Sequence, residues 1–311
     1  MRIAVLLAVV ALGSTAAAAA PDAREGSIVA DDGVRLFYRE IGGSRDAIVI
    51  PVAVWTSPHF DRLARGDRRV VYYDPRGRGR SETGDLKAVS LDRATRDLQQ
   101  LLDRLSITQA TLVGWSGYGM EMAAFALAHP DRVARLVQLN PVPPRQEPYM
   151  SQRMAGMRER VDVSELRRYQ EMVRDGRPQP DLCRQYNRAT APSFAAHPER
   201  VKASIERLCE LPAEWPANQQ KFFVAFMSSI AGLDFRPRIS ELRMPRLVIH
   251  GDRDLIAVEG VQEWLVPGND QARLLIVEGA DHASFIDEPD AVVGAIDTFV
   301  QGEWPPRATR P

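Results

Sequence analysis

The chain has 311 residues, with 40 basic and 41 acidic side chains and a formal net charge of −1. Its 45% hydrophobic and 26% charged residues suit a globular protein of one large domain, or one domain with an insertion. The balanced charge gives no basis for a general affinity for nucleic acid. Met1-Arg2 is a positive start, Ile3 to Gly13 is apolar, and Ser14 to Ala20 is small-residue, which predicts a secretory signal peptide over residues 1–20. Cleavage fits between Ala19 and Ala20. The apolar core is shorter than the roughly 20 residues of a membrane span. The mature chain is therefore expected to be exported, to the periplasm or the medium, with no stable membrane insertion.

Ser27 to Ala30 and Val34 to Glu40 flank Asp31-Asp32-Gly33 and predict a hairpin. Ala47 to Ile50 predicts a third strand and Arg69 to Tyr73 a fourth. Between and beyond them, Arg62 to Arg80 is rich in arginine, and is read as a solvated surface around the fourth strand rather than an anion site. Leu91 to Leu105 has Ala94, Leu98, Leu101, Leu102 and Leu105 at helical spacing, with Ser90 as its N-cap. Strands at 110–114, 135–139, 246–250 and 273–277 complete eight. Strands alternating with helices imply a mostly parallel sheet with helices on its faces.

Between the fifth strand and the helix-like run from Met120 to His129 lies Gly114-Trp115-Ser116-Gly117-Tyr118-Gly119. A serine on a tight strand-to-helix turn is held with its hydroxyl exposed, and the next amide, of Gly117, points to where an oxyanion would form. The seventh strand ends in His250-Gly251-Asp252-Arg253-Asp254, and the eighth in Glu278-Gly279-Ala280-Asp281-His282. A serine, an acid and a histidine thus follow three strand ends in that order. Between Pro141 and Phe235 β-type runs vanish, and helical stretches alternate with proline joints.

The order Ser, Asp, His and the strand-end placement resemble the α/β-hydrolase superfamily. Asp74-Pro75-Arg76-Gly77-Arg78-Gly79-Arg80-Ser81 is similar to the family's Asp-x-Arg-Gly-x-Gly-x-Ser loop, and His129-Pro130-Asp131-Arg132-Val133 to the segment after the nucleophile helix. Asp281-His282 with Asp287-Glu288-Pro289 is similar to the histidine loop and last helix. The resemblance is to the capped subgroup that includes proline iminopeptidase-like enzymes and esterases. It implies an eight-stranded core at 21–140 and 236–311, and a helical cap at 141–235. It also implies Ser116 as nucleophile, His282 as base and Asp254 as orienting acid. Asp254 is preferred to Asp252 because the family's acid is the second in Gly-x-x-Asp. His59, His129, His197 and His250 have weaker claims, and His250 is expected to be structural. The imidazole of His282 is expected to titrate near its ordinary value unless Asp254 or Asp281 raises it.

Two positions depart from the pattern. Relatives have His-Gly after the third strand, where this chain has Pro51-Val52-Ala53-Val54-Trp55, so Ala53 or Val54 supplies the second oxyanion amide. Tyr118 stands where relatives have a small residue, and either points into the pocket or packs beneath the cap. Trp55, Trp115 and Tyr118 are the expected pocket residues. Cys183 and Cys209 both lie in the inserted segment, and export would allow them to pair. No metal cluster, phosphate loop or dinucleotide fingerprint occurs in the sequence, so no cofactor is expected. The expected activity is hydrolysis of an ester or amide of a small molecule or short peptide. The first alternative is a proline iminopeptidase-like aminopeptidase using Glu206, Glu210 or Glu214 to receive an amine. The second is a non-catalytic binding protein of the same fold.

Overall fold

Apolar, β-branched runs bounded by turn residues form the eight strands: β1 (Arg24–Val29), β2 (Arg35–Gly42), β3 (Arg45–Pro51), β4 (Arg68–Tyr73), β5 (Ala110–Trp115), β6 (Val133–Leu139), β7 (Arg246–Gly251) and β8 (Ala272–Val277). The structure is a computed structural model that describes residues 23–211, 214–266 and 270–310, without the side chains of 214–220. The expected signal segment 1–20 lies outside the described residues. Among the described residues no helix is long and apolar enough to cross a membrane.

The strands form one sheet in the order β1-β2-β4-β3-β5-β6-β7-β8. The pairs β1/β2 and β2/β4 are antiparallel, and the pairs from β4/β3 to β7/β8 are parallel. Alternate side chains enter opposite faces. Val49, Val71, Leu112, Leu136 and Val248 join one core, while Ile48, Val70, Val113, Val137 and Ile249 join the other. Both faces are covered, which is why the central strands read as continuous apolar runs.

The helices are α1 (Ala53–Thr56), α2 (Leu91–Arg104), α3 (Gly117–Ala128), α4 (Tyr149–Arg160), α5 (Val163–Arg174), α6 (Gln179–Thr190), α7 (Lys202–Cys209), α8 (Glu214–Ile230), α9 (Val258–Gln262), α10 (Ser284–Asp287) and α11 (Pro289–Val300). Leu98, Leu101 and Leu102 of α2 and Phe125 of α3 pack in the first core, and Val292, Val293, Ile296 and Phe299 of α11 in the second. The Ser90 hydroxyl accepts from Arg93 N over 3.1 Å and starts α2 where the spacing predicts.

Helices α4 to α8 fill the segment between β6 and β7. Its two ends meet in a bridge between Arg145 and Asp234, with Phe235 N donating to Pro144 O over 2.9 Å. The insertion therefore leaves and rejoins the sheet at one place. Cys183 of α6 and Cys209 of α7 are joined in a disulfide.

The arginine-rich stretch is the expected solvated surface only in part: Arg62, Arg65 and Arg80 are exposed, while Arg76 and Arg78 are buried. Arg62, Arg65 and Arg68 pair with Asp290 and Asp297 of α11, and Arg69 pairs with Glu40. Arg76 is buried between Asp97 and Asp32, and Arg78 is buried beneath α8. For Arg76 the reason is tertiary: Asp32 and Asp97, remote in sequence, converge on it and lower the cost of burying its charge, whereas Arg78 lies against the Phe222 ring.

Candidate active site

Parallel strands end together at one edge of the sheet, and loops there are where side chains from distant parts of the chain converge. Ser116 follows β5, Asp254 follows β7 and His282 follows β8. Ser116 is held at φ 57° and ψ −127°, a region costly for a residue with a side chain. Three backbone bonds maintain it. Ser116 N donates to Leu139 O (2.9 Å), and the Ser116 carbonyl accepts from Gly119 N (3.0 Å) and Val142 N (3.3 Å). Gly117 must lack a side chain, because a Cβ there would lie 2.6 Å from the Phe226 ring of α8.

The Ser116 hydroxyl and His282 Nε2 are 2.8 Å apart, and His282 Nδ1 is 2.8 Å from Asp254 Oδ2. The carboxylate facing Nδ1 sets the tautomer, with the proton on Nδ1 and the lone pair of Nε2 turned to the serine. Asp254 also accepts from Asn140 Nδ2 (2.9 Å) and Ile256 N (2.9 Å). Asn140 in turn accepts from the Ser284 hydroxyl and donates to Asp281 O. The acid is thus fixed on both oxygens. Burial pushes the Asp254 carboxyl up, but the charge and hydrogen bond of His282, with His250 and Arg153 nearby, pull it further, to well below the usual range.

His282 departs from the expected ordinary value. Burial lowers its pKa, Arg153 and His250 lower it further, and Asp254 only partly opposes them. Asp281 does not act as the expected neighbour. It accepts from the His282 backbone N–H (2.7 Å) and pairs with Arg160 of α4, and burial raises its own pKa to about 6.

Val52 occupies the turn after β3 at φ 62°, a left-handed conformation unusual for a β-branched residue. Trp55 N and the Thr56 hydroxyl both bond its carbonyl and hold the turn. Of the two amides left open by the sequence, Val54 N donates to Asp74 Oδ1 at 3.4 Å. Ala53 N also faces this carboxylate, though less closely engaged, at the first turn of α1. Asp74 is buried, which raises its pKa to about 6, and it also accepts from Arg80 N (2.9 Å). A Cβ on Gly79, at φ 50°, would meet that carboxylate at 2.0 Å, so only glycine permits the approach.

The expected pocket residues divide into two groups. Trp115 packs behind His282 with ring centroids 5.7 Å apart, and its indole N–H donates to His282 O (2.7 Å). Trp55 packs against Trp115 and Phe194. Tyr118 lies on the other side, stacked beneath Phe226 of α8 at 6.0 Å. Asp252 accepts from Gly279 N and orders its loop. His250 bonds Ile256 O through Nε2, with Nδ1 3.7 Å from Asp254, so it is structural yet faces the acid. His59 faces Ser204, His129 packs on Phe125, and the backbone N–H of His197 donates to Asp287. Glu206 is bound by Arg184 at 2.6 Å and Glu210 is exposed at the end of α7. The side chain of Glu214 lies outside the described residues. Among the described residues no group of three His, Cys, Asp or Glu is arranged to hold a metal.

Sequence reasoning missed Asn140, and took Asp287 only as part of the last-helix motif, without a role. Asn140, at φ 43°, ends the apolar β6, and a polar residue in that position was the available signal. Asp287 is fully buried and accepts from Asp281 N, Ala196 N and His197 N at 2.9–3.0 Å. It ties the histidine loop to the inserted helices, a contact that no local pattern announces.

The model of a family described by its alpha/beta hydrolase fold matches residues 43–289. Pimeloyl-[acyl-carrier protein] methyl ester esterase of Edwardsiella ictaluri is 27% identical over 273 residues, covering 86% of this chain and 98% of the relative. 3-Oxoadipate enol-lactonase 2 of Acinetobacter baylyi is 25% identical over 235 residues, covering 75% of this chain and 78% of the relative. Among solved structures, an esterase from Exiguobacterium antarcticum superposes with a TM-score of 0.67 at 18% identity, covering 88% of this chain and 98% of that one. The enol-lactonase from Burkholderia xenovorans LB400 gives 0.67 at 23% identity, covering 89% and 100%. The sheet order, the strained serine turn and the match across 43–289 converge, and the chain belongs to the α/β-hydrolase fold family.

Proposed function

We propose that this protein is an exported serine hydrolase that cleaves an ester or amide bond of a small molecule or short peptide through an acyl-enzyme on Ser116. The observation that carries the reading is the unbroken hydrogen-bonded line from Ser116 Oγ through His282 to Asp254, at 2.8 Å in each step. Ser116 Oγ forms a bond to the substrate carbonyl carbon as its proton passes to His282 Nε2. The tetrahedral oxyanion takes an N–H donor from Gly117, with Ala53 or Val54, both of which face Asp74 here, as the candidates for the second. The same Nε2 proton goes to the leaving oxygen or nitrogen as its bond to carbon breaks. Water then repeats the sequence, releasing the acid and regenerating the serine. Asp254 keeps the imidazole oriented and stabilises the imidazolium.

An ester is favoured over an amide because the curated relatives above are a methyl ester esterase and an enol-lactonase. The aminopeptidase reading loses Glu206, which is engaged by Arg184, and is left with Glu210 or Glu214 to receive the amine. Export is supported by the N-terminal pattern and by the Cys183–Cys209 bridge, which suits an oxidising compartment. Ser116→Ala is expected to cost roughly 10⁴-fold or more in turnover. Wild type is expected to take up a fluorophosphonate on Ser116. Near-normal activity in the variant together with an unlabelled wild-type Ser116 would overturn the reading. A folded protein that neither labels nor turns over esters would be a binding member of the family.

A further inference from the structure

Arg78 lies in the loop after β4, on the side of β5 away from Asp254 and His282, because the sheet runs β4-β3-β5 on one side and β5-β6-β7-β8 on the other. Only 9% of it is exposed. Its neighbour Arg76, also buried, is held by Asp97 at 2.6 and 2.9 Å and by Asp32 at 2.9 Å. Arg78 has no such carboxylate among the described residues; its guanidinium lies against the face of Phe222 of α8, 4.2 Å from the ring centroid. Burying a cation without a carboxylate partner is costly, which makes Arg78 a strong site for an anion.

Three polar atoms there lack a hydrogen-bond partner: Arg78 Nε, Tyr118 Oη and Glu121 Oε2. Arg78 acts electrostatically on both Tyr118 and Glu121. Glu121 borders a neighbouring cavity of about 20 Å³, together with Arg76, Asp97, Phe222 and Phe226; Arg78 and Tyr118 are not in its lining. That is room for about one water molecule with the α8 rings in place. Burial raises the Glu121 carboxyl to about 8 against the pull of Arg78. At neutral pH it is therefore protonated, leaves the charge of Arg78 uncompensated, and carries an O–H of its own. Asp97, the remaining acid, is taken up by Arg76 and Arg93.

The cluster adjoins the reacting centre. Tyr118 and Glu121 are two and five residues beyond Ser116, on the first turns of α3. Phe222 covers Arg78 and stacks at 6.4 Å on Phe226, which covers Gly117 and Tyr118. One pair of rings therefore roofs both the cation and the candidate oxyanion amide. The leaving group must lie toward His282, which protonates it, so the acyl chain extends the other way, toward Tyr118 and Arg78.

On the reading of Ser116 as nucleophile, we propose that Arg78 and the Tyr118 hydroxyl form a subsite beneath Phe222 and Phe226 for a carboxylate at the far end of the substrate's acyl chain. The protein then prefers half-esters of dicarboxylic acids to neutral esters of the same length. A guanidinium supplies paired donors to a carboxylate, and the phenol adds a third. Entry requires the two rings to move aside. Phe223 and Val224, on the outer side of α8, are 44% and 58% exposed, so that side of the helix has little packing to resist the movement.

The test compares kcat/KM for the monomethyl esters of succinic, glutaric and adipic acids with the methyl esters of butanoic, pentanoic and hexanoic acids, in wild type, Arg78→Met and Arg78→Lys. Wild type is expected to favour the half-ester at one or more lengths. Arg78→Met is expected to lower the acidic-to-neutral ratio by roughly 10–100-fold, the size of a lost charge-assisted hydrogen bond, and Arg78→Lys to restore part of it. A wild type without the preference, a ratio unchanged in a folded Arg78→Met, or failure to turn over either series while Ser116 takes up fluorophosphonate would each overturn the subsite and leave the serine reading standing. Absence of labelling at Ser116 would overturn the serine reading itself. A structure with one water against Arg78 and no ratio change marks the cluster as a hydration site only.

Discussion

Two residues at the site sit in backbone conformations that side chains disfavour, Ser116 at φ 57° and Val52 at φ 62°. Each is held by several backbone or side-chain bonds, so the strain is retained. The titration of His282 is set by its burial and by Arg153 and His250, with Asp254 opposing them. On the proposal that His282 is the base, it works neutral, and since burial lowers its pKa, activity is expected to persist to lower pH than an unshifted imidazole allows, with the midpoint of the acid limb of kcat/KM below about 6.5. Arg153 of α4 is buried with its charge acting on Asp254 and Asp281, and it depresses His282. Removing that cation by Arg153→Gln is expected to raise the His282 pKa and move the acid limb toward higher pH. A limb that stays in place, or moves to lower pH, contradicts the assignment of His282 as base with Arg153 as its modulator.

At the scale of elements, the helices of the inserted segment do different work. Helix α4 brings Arg153 and Arg160 to the acid and histidine loops, and α8 roofs Gly117 and Arg78. Helix α7 packs on α1, which begins at Ala53, and Ser204 of α7 bonds His59 at 3.2 Å. The disulfide links α7 to α6 across 26 positions. In the chain-entropy model a loop of that length is worth about 3.5 kcal/mol. The sheet contains no cysteine, so the bridge steadies α6 and α7 rather than the core. Cys183→Ser combined with Cys209→Ser is expected to raise KM and lower kcat at temperatures where the far-ultraviolet circular dichroism of the sheet is unchanged. Kinetics and thermal melts on the same samples check this, and loss of the whole fold in one step with unaltered kinetics below it would contradict it.

At the scale of the molecule, the inserted helices and the sheet are joined over the histidine loop. Asp287 takes amides from both sides, and Ala283 N donates to Phe194 O at 2.9 Å. Asp287→Ala leaves one buried N–H group, of Asp281, and two half-buried ones, of Ala196 and His197, without partners; the buried one is worth about 1–3 kcal/mol. A loss of about 1–3 kcal/mol is expected in denaturant unfolding, together with a fall in kcat, since the same bonds position the His282 loop. Full stability in this variant would show that the clamp is dispensable.

The eight strands were legible because a sheet covered on both faces needs unbroken apolar runs, such as Ala47 to Ile50 and Leu247 to Ile249, and those runs are local properties of the chain. The Ser90 cap and the turn at Ser116 were legible for the same reason: glycine, serine and their spacing act on backbone atoms a few residues away. The order of Ser116, Asp254 and His282 followed from their places after strand ends. Other features had no local signal. Whether Arg76 and Arg78 face solvent depends on Asp32, Asp97 and Phe222, from three other parts of the chain. The direction of the His282 shift depends on burial and on Arg153 of α4. Local chemistry and periodicity decided the elements and the residue types at their ends. Burial and the pairing of charges are sums over neighbours brought together by folding, and only the tertiary structure decided which charges at this site are matched and which remain open.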